Sequence, residues 1–90
     1  MSIISMDING FPAEYTVHYA TNSEISSIKI DAINLGNKVA ELVSGIYSQE
    51  KETPKIEIYG NQEQGTEFAD DIRVNLAFTY GLKDIEIEVL

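Results

Sequence analysis

The sequence predicts a single α/β domain in the order βββαβαβ, and three observations lead to this prediction. Several short segments alternate apolar and polar residues, which is typical of strands with one buried face. Two longer segments instead carry apolar residues at helical spacing. The chain has 90 residues, 43% hydrophobic and 23% charged, which is the composition of one folded domain with a modest core and no internal domain boundary.

The first two strands are predicted at residues 3–8 and 11–19, on either side of Asn9-Gly10. Asn-Gly tolerates the two positive φ angles of a type I′ turn, so we expect a two-residue β-hairpin. The opposing pairs in that hairpin are Ile8 with Phe11, Met6 with Ala13, and Ile4 with Tyr15. This register gives the hairpin one apolar face and one polar face.

A third strand near residues 27–33 shows the same alternation, with Ile28, Ile30 and Ala32 on its apolar face. From Leu35 the spacing becomes helical, and Asn34 is a suitable N-cap. The apolar stripe of this helix is Leu35, Val39, Leu42, Val43, Ile46 and Tyr47. Gly36 and Gly45 each lower helix propensity by up to about 1 kcal/mol relative to Ala, so we expect them where the helix packs closely against the sheet.

A fourth strand is predicted at Lys55 to Tyr59, with Ile56 and Ile58 pointing inward. The following segment, Gly60 to Thr66, reads G-x-x-x-x-G-T, but it lacks the Lys of a phosphate-binding loop, and we interpret it as an ordinary turn. Thr66 is then the predicted cap of a second helix that ends at Gly81. Its apolar residues are Phe68, Ile72 and Leu76, and a last strand follows at residues 85–90.

If the first three strands form an antiparallel meander and both crossovers are right-handed, the sheet has the order 3-2-1-4-5, with both helices on one face. The polar alternate positions in all five strands agree with this arrangement, because a sheet covered on both faces shows continuous apolar runs. We therefore predict an open, polar face. It carries Asp7, Glu14, Lys29, Asp31, Lys55, Glu57, Glu86 and Glu88.

Composition excludes several functions. The formal net charge of −9 repels phosphate backbones, so we expect no direct binding to nucleic acid. Without Cys the chain has no disulfide, no thiolate zinc site and no cysteine nucleophile, and its single histidine, His18, is interpreted as a surface residue. No apolar segment is long enough to span a membrane, and residues 1–7 lack the features of a signal peptide. We expect a cytoplasmic location and no cofactor.

The predicted topology resembles the first part of the ribonuclease H-like fold. The string Ile3 to Gly10 is also similar to the first strand of the Holliday-junction resolvases of that fold, in which an Asp after four mostly apolar residues binds a divalent metal. The resemblance implies that Asp7 is a metal ligand. The positions of the second carboxylate hold Tyr59, Asn61, Asn34 and Asn37, and the final carboxylate-bearing helix is missing. Glu57 neighbours Asp7 if the first and fourth strands pair, so these two residues are the candidate site for one Mg²⁺.

Three functional hypotheses follow. The leading one is a small, acidic, non-enzymatic module that binds a protein partner or a second copy of itself, through the open sheet face or the terminal edge strand. An inhibitor or accessory protein of a phage or mobile element fits this size and charge. The first alternative is a degenerate metal-dependent nuclease or phosphotransfer domain of ribonuclease H type that uses Asp7 and Glu57. The second alternative is a DNA-mimicking inhibitor.

Overall fold

The computed structural model describes residues 2–90, and Met1 lies outside the described residues. The elements follow the predicted order. They are β1 (Ile3–Ile8), β2 (Glu14–Ala20), β3 (Ile25–Asp31), a 3₁₀ turn (Ala32–Asn34), α1 (Leu35–Glu50), β4 (Lys55–Gly60), α2 (Gln62–Tyr80) and β5 (Ile87–Val89). The third strand is therefore displaced by two residues from its predicted position, because the chain turns at Ala32, and the last strand is shorter than predicted.

The sheet has the order β3-β2-β1-β4-β5, as predicted. β1 is antiparallel to β2 and β2 is antiparallel to β3, whereas β1 pairs in parallel with β4, and β4 with β5. The two helices pack against each other and cover one face of the sheet. The opposite face is open, and the predicted acidic side chains on it are interspersed with Lys29 and Lys55.

The core lies between the sheet and the two helices. The sheet contributes Ile4, Met6, Ile8, Val17, Ile56 and Ile58, and the helices contribute Leu35, Val39, Val43, Ile72 and Leu76. All eleven are buried almost completely, and burying one such side chain stabilises the fold by about 1.5–3 kcal/mol. The inward direction predicted for Ile56 and Ile58 is confirmed.

The connection between β1 and β2 differs from the prediction. Residues 9–13 join the two strands, and Met6 lies opposite Val17 instead of Ala13. Gly10 has a φ of 77°, but Asn9 does not have a positive φ, so the type I′ turn and the two-residue hairpin were wrong. The register on β2 is shifted by four residues from the predicted one. Because four is an even number, the side chains within β1 and β2 still lie on the faces predicted for them. Phe11 and Ala13, predicted on the apolar face opposite Ile8 and Met6, instead lie in the connection, and Phe11 is 88% exposed.

The start of α2 also differs from the prediction. The helix begins at Gln62, and the side chain of Asn61 caps it by accepting a hydrogen bond from the Gln64 N–H at 3.0 Å. The predicted loop up to Gly65 and the predicted cap at Thr66 were therefore wrong. Gly65 lies inside the helix, where a Cβ would lie 2.8 Å from Val89 Cγ1, so glycine allows α2 to approach β5 without displacing Val89. Gly81 ends the helix as predicted, with a φ of 66°.

The glycines of α1 have different surroundings from those expected. Gly36 is closely packed, but against the Asp71 side chain of α2 and not against the sheet. A Cβ on Gly45 would meet no atom within 4 Å, so the prediction of close packing was wrong there. Asn34 stands at the N-cap position, yet its side chain makes no capping hydrogen bond. Among residues 2–90 no helix has both the length and the apolar character needed to cross a membrane.

Candidate interaction site

β3 is an edge strand, and one side of it carries free backbone groups. At its two ends the Ala32 N–H donates to the Ala13 carbonyl at 3.0 Å, and the Thr21 N–H donates to the Glu24 carbonyl at 2.8 Å. Hydrogen-bonded pairs alternate along an antiparallel ladder, so the even-numbered residues of β3 bond to β2. The outward backbone groups are those of Ile25, Ser27, Lys29 and Asp31. These four residues offer hydrogen-bond donors and acceptors to another strand.

A groove of about 580 Å³ lies between β3 and α1. Its apolar lining consists of Tyr19, Ile28, Ile30, Leu42 and Ile46. Ile28 is on the helix-covered side of the sheet, as predicted, but it is 37% exposed because α1 leaves this part of the groove open. Gly45 borders the same groove from α1 and places no side chain in it. Outward backbone groups and a partly apolar groove therefore occur on the same strand, the groove beside its second half.

The rim of the groove is charged, with acids in excess of bases. Glu24, Lys38 and Glu41 border it on the helix-covered side, whereas Glu14, Lys29 and Asp31 border it at the sheet edge with side chains that alternate onto the open face. Lys38 forms an exposed ion pair with Glu41 at 3.4 Å, a contact that contributes at most about 1 kcal/mol. Glu14 and Asp31 are direct neighbours on β2 and β3, where like charges repel each other. Apolar and charged residues therefore share the lining of the groove.

The turn between β2 and β3 is held against the end of α1. The Glu50 carboxylate accepts hydrogen bonds from the Ser2 hydroxyl and, at 3.3 Å, from the Asn22 N–H. Within the turn, Thr21 Oγ1 accepts a hydrogen bond from the Glu24 N–H at 3.1 Å. These contacts fix the first end of β3 before anything binds, and such preorganisation lowers the entropic cost of association.

The other edge of the sheet is β5, where charges are paired. Lys55 Nζ lies 3.2 Å from Glu88 Oε1 and 3.5 Å from Glu57 Oε2. The hydrogen bond to Glu88 raises the pKa of the Lys55 amino group above its ordinary 10.5, with Glu57 adding to the effect. Partial desolvation, together with a 3.2 Å hydrogen bond to Glu57, raises the pKa of the Tyr59 hydroxyl above 10.0. The carboxylates of Glu57 and Glu88 are thus already engaged.

The predicted metal ligands, Asp7 and Glu57, lie on neighbouring strands of the open face. In the parallel register Asp7 is opposite Tyr59 and Glu57 is opposite Ser5, so the two carboxylates are diagonal neighbours. Asp7 Oδ1 accepts a hydrogen bond from Asn9 Nδ2 at 3.1 Å. Within residues 2–90 no group of three or more His, Cys, Asp or Glu side chains could hold a metal ion, so the ligand set does not fit a two-metal centre. A single ion bound by Asp7 and Glu57 stays a prediction.

The geometry thus defines a small α/β domain with one exposed edge and an adjoining groove. No protein-family model matches the chain, and no curated protein matches it. Two structures of the Aquifex aeolicus Ppx/GppA enzyme resemble it over its whole length, with 11% and 15% identity and TM-scores of 0.41 and 0.39. An exopolyphosphatase-like protein gives 14% identity and a TM-score of 0.44.

The chain spans about a third of the length of those three structures, covering 36%, 35% and 32% of them. TM-scores below 0.5 carry no argument about activity. The strand order and pairing agree in outline with a ribonuclease H-like topology, and they point to no particular family of that fold.

Proposed function

We propose that this domain is a protein-interaction module that binds by β-strand addition. An extended segment of another polypeptide pairs with the free edge of β3 and places alternate side chains in the groove between β3 and α1. In this mode of recognition main-chain hydrogen bonds provide affinity, and pockets for alternate side chains provide specificity. The observation that supports the proposal is that β3 has outward backbone groups along its length and that its second half, Ile28 to Asp31, borders a partly apolar groove.

β3 lacks the features that usually prevent edge pairing. It contains no proline, its pairing with β2 is continuous from Ile25 to Asp31, and only one Lys interrupts it. Ile25 is 88% exposed at one end of the strand. An edge of this length and composition is a template for another strand, and the groove beside it supplies selectivity.

The size of the groove suits a few side chains of the added strand. Ligand-binding pockets commonly measure about 300–1,000 Å³, and the volume of about 580 Å³ lies within that range. One Ile or Leu side chain buried there contributes about 1.5–3 kcal/mol before the entropic cost of binding is subtracted. A partner segment with apolar residues at every second position therefore fits this surface.

Selection from a random peptide library displayed on phage tests the proposal. We expect enrichment of peptides with alternating apolar residues, and at least about tenfold weaker binding of these peptides to Ser27→Pro. The Ser27 N–H points outward, so proline removes a donor from the edge without removing a bond to β2. Ser27→Ala keeps the N–H and is the matched control. Failure to enrich any peptide, or equal binding to Ser27→Pro, would contradict the proposal.

A further inference from the structure

We infer that the strand added at this edge is β3 of a second copy of the chain, which produces a symmetric dimer with one continuous sheet. The inference rests on the proposed function and specifies the partner. Its basis is the sequence of β3 itself, which pairs with its own copy in an antiparallel register that leaves no like charges opposite each other.

The backbone fixes which registers are available. Since the outward groups belong to the odd-numbered residues of β3, a two-fold antiparallel pair exchanges hydrogen bonds between odd-numbered residues. A pair centred on Ile28 uses the whole strand from Ile25 to Asp31. In this register Ile25 lies opposite Asp31 of the second copy, and Ser27 lies opposite Lys29 of the second copy. Every outward group of the strand then has a partner.

The neighbouring registers are worse. Centring the pair on Lys29 places two lysines directly opposite each other, and such a pair is destabilising. Centring it on Ser27 places Ile30 opposite Glu24 of the second copy, which lies outside β3. Centring it on Ile30 shortens the ladder, because Ile25 and Ser27 then face Leu35 and Ile33 of the second copy, which lie outside β3. The register centred on Ile28 combines the longest overlap with the absence of like-charge pairs.

The side chains on the helix-covered side support the same register. The two Ile28 residues meet at the two-fold axis in a non-hydrogen-bonded pair, the type in which opposing side chains are closest. Ile30 lies opposite Ser26 of the second copy, so the grooves of the two copies lie next to each other on either side of the axis. The 37% of Ile28 that is exposed in the single chain becomes covered.

The net charge gives the dimer a distinctive salt dependence. Each chain carries a net charge of −9, so two copies repel each other at long range, although Lys29 and Asp31 balance within β3. At physiological ionic strength this repulsion is screened beyond about 8 Å. Self-association should therefore strengthen as salt is added. A basic peptide partner would show the opposite dependence, because salt would screen its attraction to the acidic domain.

Sedimentation equilibrium of the full chain tests the inference. We expect a mass that rises from 10.0 kDa to twice that value between micromolar and millimolar concentration, with a lower dissociation constant at higher salt. Ile28→Lys places two lysines at the axis and should weaken the dimer at least about tenfold. Ile25→Lys is the matched control, because the new lysine faces Asp31 of the second copy and the dimer should be kept. If Ile28→Lys dimerises like the wild type, β3 is not the interface.

A cross-linking experiment tests the register directly. The chain contains no Cys, so a single introduced Cys can form a disulfide only between copies. In a non-hydrogen-bonded pair the Cα atoms are about 4.5 Å apart, which a disulfide can bridge. Mild oxidation should therefore link Ile28→Cys chains much faster than Ser26→Cys chains, which lie away from the axis. Equal rates for the two variants would overturn this register.

The results separate failure of the inference from failure of the proposed function. If the chain stays monomeric at all concentrations and still binds selected peptides that do not bind Ser27→Pro, the second copy is the wrong partner and the edge remains the binding site. If neither the dimer nor the peptides depend on β3, both proposals are wrong.

Discussion

β3 and β5 close opposite sides of the same sheet, and they differ in length, cover and charge. β5 has only three residues, α2 approaches it so closely that a Cβ at position 65 would overlap the Val89 side chain, and its Glu88 is paired with Lys55. β3 has seven residues, and it borders an open groove instead of a packed helix. The difference shows that edge protection is local. The β5 edge is protected against pairing with another strand and the β3 edge is not. The proposed contacts therefore lie at β3.

The largest expected effect on stability is at Gly60, where the end of β4 packs closely against the backbone of β1. Gly60, at the end of β4, has a φ of 112°, and a Cβ there would lie 2.5 Å from the Ile8 carbonyl oxygen. Gly60→Ala should lower the free energy of unfolding by about 3 kcal/mol or more, measured by urea denaturation. Gly10→Ala is the control, since Gly10 also has positive φ but open surroundings, and it should cost about 1–2 kcal/mol. Equal losses would mean that the clash at Gly60 is easily relieved.

The next effect concerns the close approach of α2 to β5. In Gly65→Ala the new methyl group meets Val89 Cγ1 at 2.8 Å and Ile58 Cγ2 at 3.2 Å. The overpacking cost of about 1–3 kcal/mol should outweigh the gain in helix propensity of about 1 kcal/mol, for a net loss on the order of 1 kcal/mol. Adding Val89→Ala removes the closer contact and should make the Gly65 substitution less harmful in a double-mutant cycle. A stabilised Gly65→Ala would contradict the close packing.

A glycine-to-alanine substitution in α1, beside the groove, should instead increase the free energy of unfolding. Gly45 lies in α1 beside the groove, and a Cβ there has no neighbour within 4 Å. Gly45→Ala should therefore raise the free energy of unfolding by about 0.5–1 kcal/mol, because alanine loses less backbone entropy on folding. Thermal and urea unfolding of both alanine variants, side by side, would measure the contrast between the two edges. A loss of stability at Gly45 would show that the groove is less open than the structure indicates.

The smallest effect is the pH dependence of the ion pairs near β5. The folded-state pKa values of Lys55 and Tyr59 are raised, so the stability they contribute is complete below their ordinary values of 10.5 and 10.0 and is lost as the pH rises through the folded values. Wild type should therefore lose slightly more thermal stability on crossing pH 10.5 than Glu88→Gln, which lacks the main partner of Lys55. Identical pH profiles for the two proteins would show that the Glu88 contact contributes nothing.

Most of the fold was predictable because it depends on periodicity. The alternation in the strands determined which face each side chain occupies, and this survived a four-residue error in the β1–β2 register because the error was even. The turn and the cap were not predictable from the same signals. Asn9-Gly10 favours a tight turn, but a longer connection forms, in which the Tyr15 hydroxyl donates to the Gly10 carbonyl at 3.1 Å. Asn61 and Thr66 are both good caps, but Asn61 accepts the capping hydrogen bond, and the Thr66 hydroxyl donates to the Gln62 carbonyl within the helix.

The candidate site was not predictable, because it depends on how α1 lies relative to β3. The open face and the terminal strand were the interaction surfaces predicted from the sequence. In the structure both carry carboxylates that are already paired with Lys55. The alternation correctly placed Ile28 on the apolar face, but it did not show that this residue borders an open groove. Gly45 was the available signal, because a mid-helix glycine without a close neighbour leaves space where the other residues of its helix place side chains.

The central strand β1 has consequences for how the chain reaches this fold. β1 and β2 are separated by a short connection in the chain. β1 and β4, which pair in parallel, are separated by β2, β3 and α1. Short-range pairings form faster because less chain entropy is lost in closing them. We therefore expect a β1–β2–β3 meander to form early in refolding, with both of its outer strands unpaired. Self-association would then begin before α1 and α2 have covered the sheet, and refolding yield would fall as protein concentration rises.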